Sequence, residues 1–262
     1  MKTSFSLALL LLGFSVGAQA QEPVSLAHGS VPGEPHHHLK IENEYVRVYY
    51  VEVPPHENTL LHQHDHDYIY VSLGPSDVVN AILNKPEIHL QLKDGETHFT
   101  RGGFAHVARN LADTPFRNIT IELLNPQGEA RNRCEKVIDG RLNDCQSSGA
   151  STLPADSPLK FIARAIAVKP LFQTDRVYLK SFSISLPQTY GEPDSQHPQL
   201  LVVENKSEAK VEFAGETSQS LQGAEVLWLD PRTKWKIVTP GGQTTSRFLL
   251  LEFKEDVAAK KL

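Results

Sequence analysis

Apolar and polar positions alternate in short runs along most of this chain, and turn residues separate the runs. Tyr45 to Val53 is β-branched and aromatic with partial alternation, Tyr68 to Leu73 stops at Gly74, and Ile88 to Leu92 alternates cleanly before Lys93-Asp94-Gly95. Phe116 to Leu124 closes this first set. A second set follows: Val177 to Leu186, Leu200 to Val203, Ala209 to Phe213, Glu225 to Leu229 and Phe248 to Phe253. A two-residue period predicts strands, and the Asp-Gly step predicts a hairpin. Outside the N-terminal segment and the last few residues no stretch carries a helical period. The pattern predicts an all-β protein made of sandwiches or barrels.

Between the two sets, Asn125 to Pro158 is polar, rich in Pro, Gly and Ser, and holds both cysteines. So long an irregular stretch is uncommon inside one domain. The expected organisation is a barrel over residues 21–127, a linker over 128–158 and a second barrel over 159–262. Leu92-Lys93-Asp94-Gly95-Glu96 also parallels Leu221-Gln222-Gly223-Ala224-Glu225, a weak internal repeat that an internal duplication explains.

The N-terminus changes the picture of compartment. Lys2, the apolar run Leu7 to Val16 and Ala18-Gln19-Ala20 have the three-part order of a secretory signal peptide, with cleavage expected after Ala20. The apolar run falls short of the ~20 residues that span a bilayer. Residues 1–20 are thus read as a signal peptide, with export to the periplasm or medium and no membrane insertion. In such an oxidising compartment, Cys134 and Cys145 read as one disulfide. The chain holds 26 Lys plus Arg against 31 Asp plus Glu. That acidic balance argues against a broad nucleic-acid footprint and against adhesion to anionic lipid.

Candidate chemistry concentrates in two stretches of the first half, His62-Gln63-His64-Asp65-His66-Asp67 and Gly102-Gly103-Phe104-Ala105-His106-Val107-Ala108-Arg109-Asn110. Histidines two apart on a strand share a face, and such a face holds a divalent ion once another strand adds a third nitrogen. His106 is placed to add it. These residues resemble the cupin superfamily, whose first motif is Gly, five residues, His-x-His, three or four residues, Glu, six residues, Gly. Here His56 stands at the first Gly, His62 and His64 at the histidines, and Asp67 at the Glu when counted back from Gly74. The second motif is matched by Gly95, Arg101 in place of Pro, Gly103, His106 and Asn110.

The resemblance implies two tandem cupin-type antiparallel β-barrels, with one divalent metal in the open mouth of the first. The implied ligands are His106, His64, His62 and Asp67, with His66 an alternative to Asp67. Asp65 and His66 are the candidate acid or base groups. Ile69, Val71, Phe104 and Ala108 are expected to wall a substrate pocket, with Arg109 outside. His36, His37 and His38 are expected in an exposed terminal segment, or approaching the mouth behind the ligands. The second half resembles a cupin without the metal residues: Lys236 and Pro240 fall where the His and Asn would be, and His197 stands alone. Iron, manganese, nickel or zinc all suit the implied site. The functional expectation is a metal-dependent enzyme on a small molecule, dioxygenase-like or isomerase/decarboxylase-like. The alternative is a non-catalytic periplasmic protein that binds a small ligand or metal. A homodimer through barrel edges is a further expectation.

Overall fold

A computed structural model describes residues 29–138, 166–185, 189–191, 195–215, 217–239 and 245–254. The proposed signal peptide and Cys145 lie outside the described residues, so neither export nor the Cys134–Cys145 pairing enters the structural account. The described residues hold twenty strands and a three-residue 3-10 turn, Val31–Gly33, and no α-helix.

The first half is β1 (Gly29–Ser30), β2 (His37–Glu42), β3 (Val46–Val53), β4 (His62–His64), β5 (Asp67–Ser72), β6 (Ser76–Ile82), β7 (Ile88–Leu92), β8 (Thr97–Thr100), β9 (Phe104–Asn110) and β10 (Phe116–Leu123). The second is β11 (Arg131–Asn132), β12 (Ile166–Gln173), β13 (Val177–Ile184), β14 (Thr189–Tyr190), β15 (Gln199–Val203), β16 (Glu208–Phe213), β17 (Ser218–Gln222), β18 (Val226–Leu229), β19 (Trp235–Val238) and β20 (Ser246–Phe253). Four sheets result, with orders β1-β4-β9-β6-β7, β2-β3-β10-β5-β8, β11-β12-β13-β20-β15-β18 and β14-β19-β16-β17.

With the short edge strands β1 and β11 set aside, the strand order of the second sheet parallels that of the third, and the order of the first parallels that of the fourth. The turn that suggested a repeat shows the same correspondence atom for atom. Gly95 and Ala224 both sit at φ +74°. Gly95 N–H donates to Ser72 O (2.9 Å) and Ala224 N–H to Val203 O (3.0 Å); Glu96 N–H donates to Lys93 O and Glu225 N–H to Gln222 O, both 3.0 Å. The Glu96 carboxylate accepts from Lys93 N–H and the Glu225 carboxylate from Gln222 N–H. Ala224 thus holds in the second half the left-handed turn that Gly95 adopts freely in the first.

Three apolar layers hold the four sheets. Tyr49, Val51, Val53, Val78, Leu92 and Phe116 pack between the first and second sheets. Phe182, Leu201, Val211, Trp235, Ile237 and Phe248 pack between the third and fourth. The largest layer joins the second sheet to the third, through residues such as Val48, Ile69, Ile121, Phe172, Leu179 and Leu251. The inner sheets are therefore covered on both faces, and seven of the eight residues of β10 are buried. Full burial of each such aliphatic side chain contributes about 1.5–3 kcal/mol, so this shared layer is a major source of stability.

The chain leaves the second sheet after Leu123 and enters the third almost at once. Gln127 accepts a hydrogen bond from the buried Thr174 hydroxyl, Ala130 is buried in the shared layer, and Arg131–Asn132 pairs with Phe172 and Gln173. The first residues of the expected linker are thus part of the second half's sheet; residues 139–165 lie outside the described set.

Candidate metal centre

The site lies between the first two sheets, on the inner face of the first half. β4 runs beside β9, with His62 opposite His106 and His64 opposite Phe104. A strand alternates its side chains, so His62 and His64 both turn inward while Gln63 turns out, and both histidines are buried at 1–2 % exposure. On β2, His37 lies opposite Val51, a residue of the inner face. The ligand-capable nitrogens of His37, His62 and His64 lie within 4.8 Å of one another. His106 joins them from β9, with its ring centroid 4.5 Å from that of His62 and 5.4 Å from that of His64.

Each of these four rings has one nitrogen held and one free. The Leu60 carbonyl accepts from His62 Nδ1–H at 2.8 Å, and the Asn80 side-chain oxygen accepts from His106 Nδ1–H at 2.8 Å. Glu122 engages His64 Nδ1 at 3.0 Å, and Glu34 engages His37 Nδ1 at 2.6 Å. That leaves Nε2 as the open nitrogen, and the Nε2 atoms of His62 and His106 are buried with no hydrogen-bond partner. Buried polar atoms are rarely left so. Oxygen partners behind metal-bound imidazoles are the usual second layer of a metal site. The donor set therefore fits a divalent ion.

Electrostatics agree. Burial, aided by the neighbouring His37, pulls His62 down to about 4. Burial and the charges of His62, His64 and His37 pull His106 down to about 2. His64 is lowered by the same causes. His62, His64 and His106 are thus neutral at pH 7, the form that binds metal. Burial raises Glu122. Burial also works to raise Glu34, but hydrogen bonds from His37, Leu60 N–H and His36 N–H outweigh it and hold the carboxyl at about 2. Glu34 thus ties the N-terminal segment to Leu60, two residues before β4, whose N–H donates to it at 3.0 Å.

The histidines line one side of a cavity of about 60 Å³. Its other walls include Tyr68, Tyr70, Leu90, Ala108, Phe116 and Asn118. Tyr68 stacks on His64 with ring centroids 4.2 Å apart.

Several expected site residues lie elsewhere. Ile69 and Val71 do not wall the cavity; they are fully buried in the layer between the second and third sheets. The wall on β5 is made by Tyr68 and Tyr70 instead. Ile69 and Val71 share the strand parity of Asp67, which itself faces away from the histidines. Asp67 sits opposite Leu123, accepts from Arg101 at 2.6 Å and from Gly102 N–H at 3.1 Å, so both its oxygens are engaged outside the cluster. On β10 the carboxylate that reaches the cluster is Glu122, the neighbour of Leu123 on the other face, bonded to His64 as Glu34 is to His37. Phe104 packs edge-on against His106, 5.6 Å between ring centroids, and does not line the cavity, whereas Ala108 does. Asp65 is exposed and accepts from Gln63. His66 is in the same turn, its backbone pressed on Gly102, where a Cβ would fall 2.3 Å from His66 O. Neither Asp65 nor His66 lines the cavity. Arg109 points outward to an ion pair with Glu87.

Two motif positions have structural roles. His56 takes φ +61°, the left-handed conformation that explains Gly at this place in the cupin motif. Asn110 is buried and its amide donates to the carbonyls of Val53, Pro54 and Thr114 at 2.8–3.1 Å, pinning two turns together. The residue the sequence reading undervalued is His37. Its signal was the run His36-His37-His38, in which one strand turns one ring inward. His36 instead bonds the Glu52 carbonyl, and His38 stacks outside on Tyr50.

No family model and no curated protein matches the chain. Solved structures do. A cupin 2 conserved barrel domain protein from Leptotrichia buccalis aligns over 83 % of this chain and 88 % of its own, with 12 % identity and a TM-score of 0.50. The chain has the cupin fold. A putative glyoxylate induced protein from Pseudomonas aeruginosa aligns at 11 % identity and TM-score 0.56, over 80 % of this chain and 75 % of its own. Salicylate 1,2-dioxygenase from Pseudoaminobacter salicylatoxidans, solved as adducts with gentisate, aligns at 11 % identity and TM-score 0.53, over 80 % and 68 %. At such identities the likeness shows the cupin fold and leaves the chemistry to the site.

In the second half of this cupin fold, Phe182, Tyr190, Trp235 and Phe248 occupy the space between the facing sheets. Phe182 stacks on Tyr190 at 4.3 Å and on Phe248 at 4.9 Å, and Trp235 Nε1–H donates to Gln199. Aromatic side chains on β13, β14, β19 and β20 thus fill this space in the second half.

Proposed function

We propose that this chain is an exported metal-dependent enzyme acting on a small molecule held between the histidine cluster and the tyrosine-lined wall of its first half. The observation that carries the reading is the set of four buried imidazoles, each oriented through Nδ1 by an oxygen, with Nε2 open toward a cavity. A divalent ion bound there supplies a Lewis acid with positions for water, substrate or oxygen. The chain's own residues orient and shield: Glu122 and Glu34 hold two rings from behind, Asn80 and Leu60 hold the other two, and Leu90, Phe116 and Ala108 limit water in the cavity. Salicylate 1,2-dioxygenase, which shares the fold, supports an oxygen-consuming reaction as the first class to assay, and isomerase or decarboxylase chemistry as the second. The signal-peptide pattern supports export, and an oxidising destination supports the Cys134–Cys145 disulfide.

The test is turnover. The full chain, expressed with export and loaded in turn with iron, manganese, nickel and zinc, is screened for oxygen uptake and substrate loss across small phenols, hydroxy acids and keto acids, beside His64→Ala as the blank. Turnover that depends on both metal and His64 supports the reading. Stoichiometric metal with tight ligand binding and no turnover across the panel favours the non-catalytic binding protein.

A further inference from the structure

The cupin motif supplies three histidines and a carboxylate, yet the residue at the carboxylate position does not reach the cluster. Asp67 is on the face of β5 opposite to Tyr68, and its two oxygens accept from Arg101 and Gly102 N–H. The two carboxylates nearest the cluster are committed too. Glu34 takes Leu60 N–H on one oxygen, and His36 N–H and His37 Nδ1 on the other. Glu122 has an oxygen on His64 Nδ1, behind that ring and away from its open Nε2. The vacant coordination role falls to a side chain from outside both motifs. His37 lies on β2, packs its ring 4.7 Å from His62 and 5.8 Å from His64, and is one of the three residues whose ligand atoms lie within 4.8 Å.

We propose that His37 replaces the motif carboxylate as the fourth protein ligand, making an all-imidazole site of His37, His62, His64 and His106 with its carboxylates confined to the layer behind. The proposal rests on the reading of this cluster as a metal centre and specifies it. Its consequence is selectivity. Imidazole suits zinc, copper, nickel and iron, whereas carboxylate and water suit manganese. The resident metal is then drawn from the first group, and manganese, which a three-histidine-one-carboxylate set would accept, is the poor ligand partner here. A second consequence is charge. With no carboxylate bound directly, the ion keeps its full double charge toward the cavity, offset only through the hydrogen bonds of Glu34 and Glu122.

The test uses the full chain stripped of metal by chelator, with Ni²⁺, Zn²⁺ and Mn²⁺ as titrants and Cu²⁺ as a spectroscopic probe. Four proteins are compared: wild type, Asp67→Ala, His37→Ala and His37→Gln. The glutamine retains a donor for Glu34, so that loss of imidazole is separated from loss of folding, which circular dichroism of the metal-free proteins monitors. The expected result is wild-type Ni²⁺ affinity within threefold in Asp67→Ala and at least tenfold weaker in both His37 variants. The imidazole nitrogen count in pulsed electron paramagnetic resonance of the Cu²⁺ form should be one lower in the His37 variants than in wild type. Unchanged affinity and nitrogen count in His37→Gln, or a tenfold loss in Asp67→Ala, would overturn the assignment while leaving the metal centre standing. Failure of the wild type to bind any of the four ions would overturn both.

Discussion

Glu122 offers the sharpest single perturbation of the site. Its carboxylate is 3.0 Å from His64 Nδ1, and both side chains are only 3 % exposed. A hydrogen bond to a charged acceptor in such a place contributes about 1.5–3 kcal/mol, and its neutral equivalent about 1. Glu122→Gln keeps an oxygen acceptor at the same reach and removes the charge. The difference, about 1–2 kcal/mol, falls on the state in which His64 is most polarised, the metal-bound one. Metal affinity should therefore weaken about five- to thirtyfold, overlapping the range seen when such outer partners are replaced. The metal-free fold should not weaken with it. Burial already raises the Glu122 carboxyl, so ionisation there opposes folding, and an uncharged amide relieves that cost. Titration calorimetry with Ni²⁺, paired with urea unfolding of the metal-free protein, separates the two effects. Affinity within twofold of wild type would refute the reasoning, as would a loss of affinity matched by an equal loss of metal-free stability.

Acid should destabilise the metal-free protein early. His62 and His106 are held at about 4 and about 2 by burial but return to about 6.5 when unfolded, so below pH 6.5 the unfolded chain binds protons that the folded chain refuses. Folding stability then falls by about 3 kcal/mol between pH 7.5 and 5.5 from these two groups; equal urea midpoints at the two pH values would contradict this. Glu34, held at about 2 against an ordinary 4.5, adds a further loss between pH 4.5 and 2, which Glu34→Gln should abolish in the same titration. Ile121→Ala, at a fully buried position of the layer joining the second and third sheets, should cost about 2–5 kcal/mol with metal stoichiometry unchanged. A loss below 1 kcal/mol by urea unfolding would show that this layer is not a shared core. Trp235→Ala should cost about 3–5 kcal/mol through the second half's aromatic core, again without changing bound metal; an altered metal content would place Trp235 in the wrong structural role.

The strand framework was legible wherever the sequence alternates or is strongly β-branched. Ile88–Leu92 appears at the expected bounds, and Val46–Val53 and Phe116–Leu123 within a residue of them. Strands hidden in polar or interrupted sequence were not legible. Ser218–Gln222 carries one apolar residue, and Ile166–Gln173 contains Pro170, where its pairing with β13 shifts register. Such strands form because a neighbour offers them a ladder, which no local pattern records. The site was legible in its motif histidines, since His62, His64 and His106 derive from a two-residue period and a glycine turn. It was not legible in its walls. With both faces of β5 covered, Tyr68-Ile69-Tyr70-Val71 is apolar or aromatic on either side, so hydrophobicity carries no parity signal, and Asp67, the one motif residue on this strand, faces the other layer. His37 and Glu122 reach the cluster through strand pairings remote in sequence, and only the assembled sheets reveal them.

The account stands most directly on whether the four imidazoles hold a metal. Metal content of the purified full chain should be measured by inductively coupled plasma mass spectrometry, with His62→Ala and His106→Ala alongside. The account predicts about one divalent ion per wild-type chain and near-complete loss in each variant, with folding retained. A wild type that stays empty after incubation with iron, nickel, copper and zinc, or variants that keep a full equivalent, would contradict it.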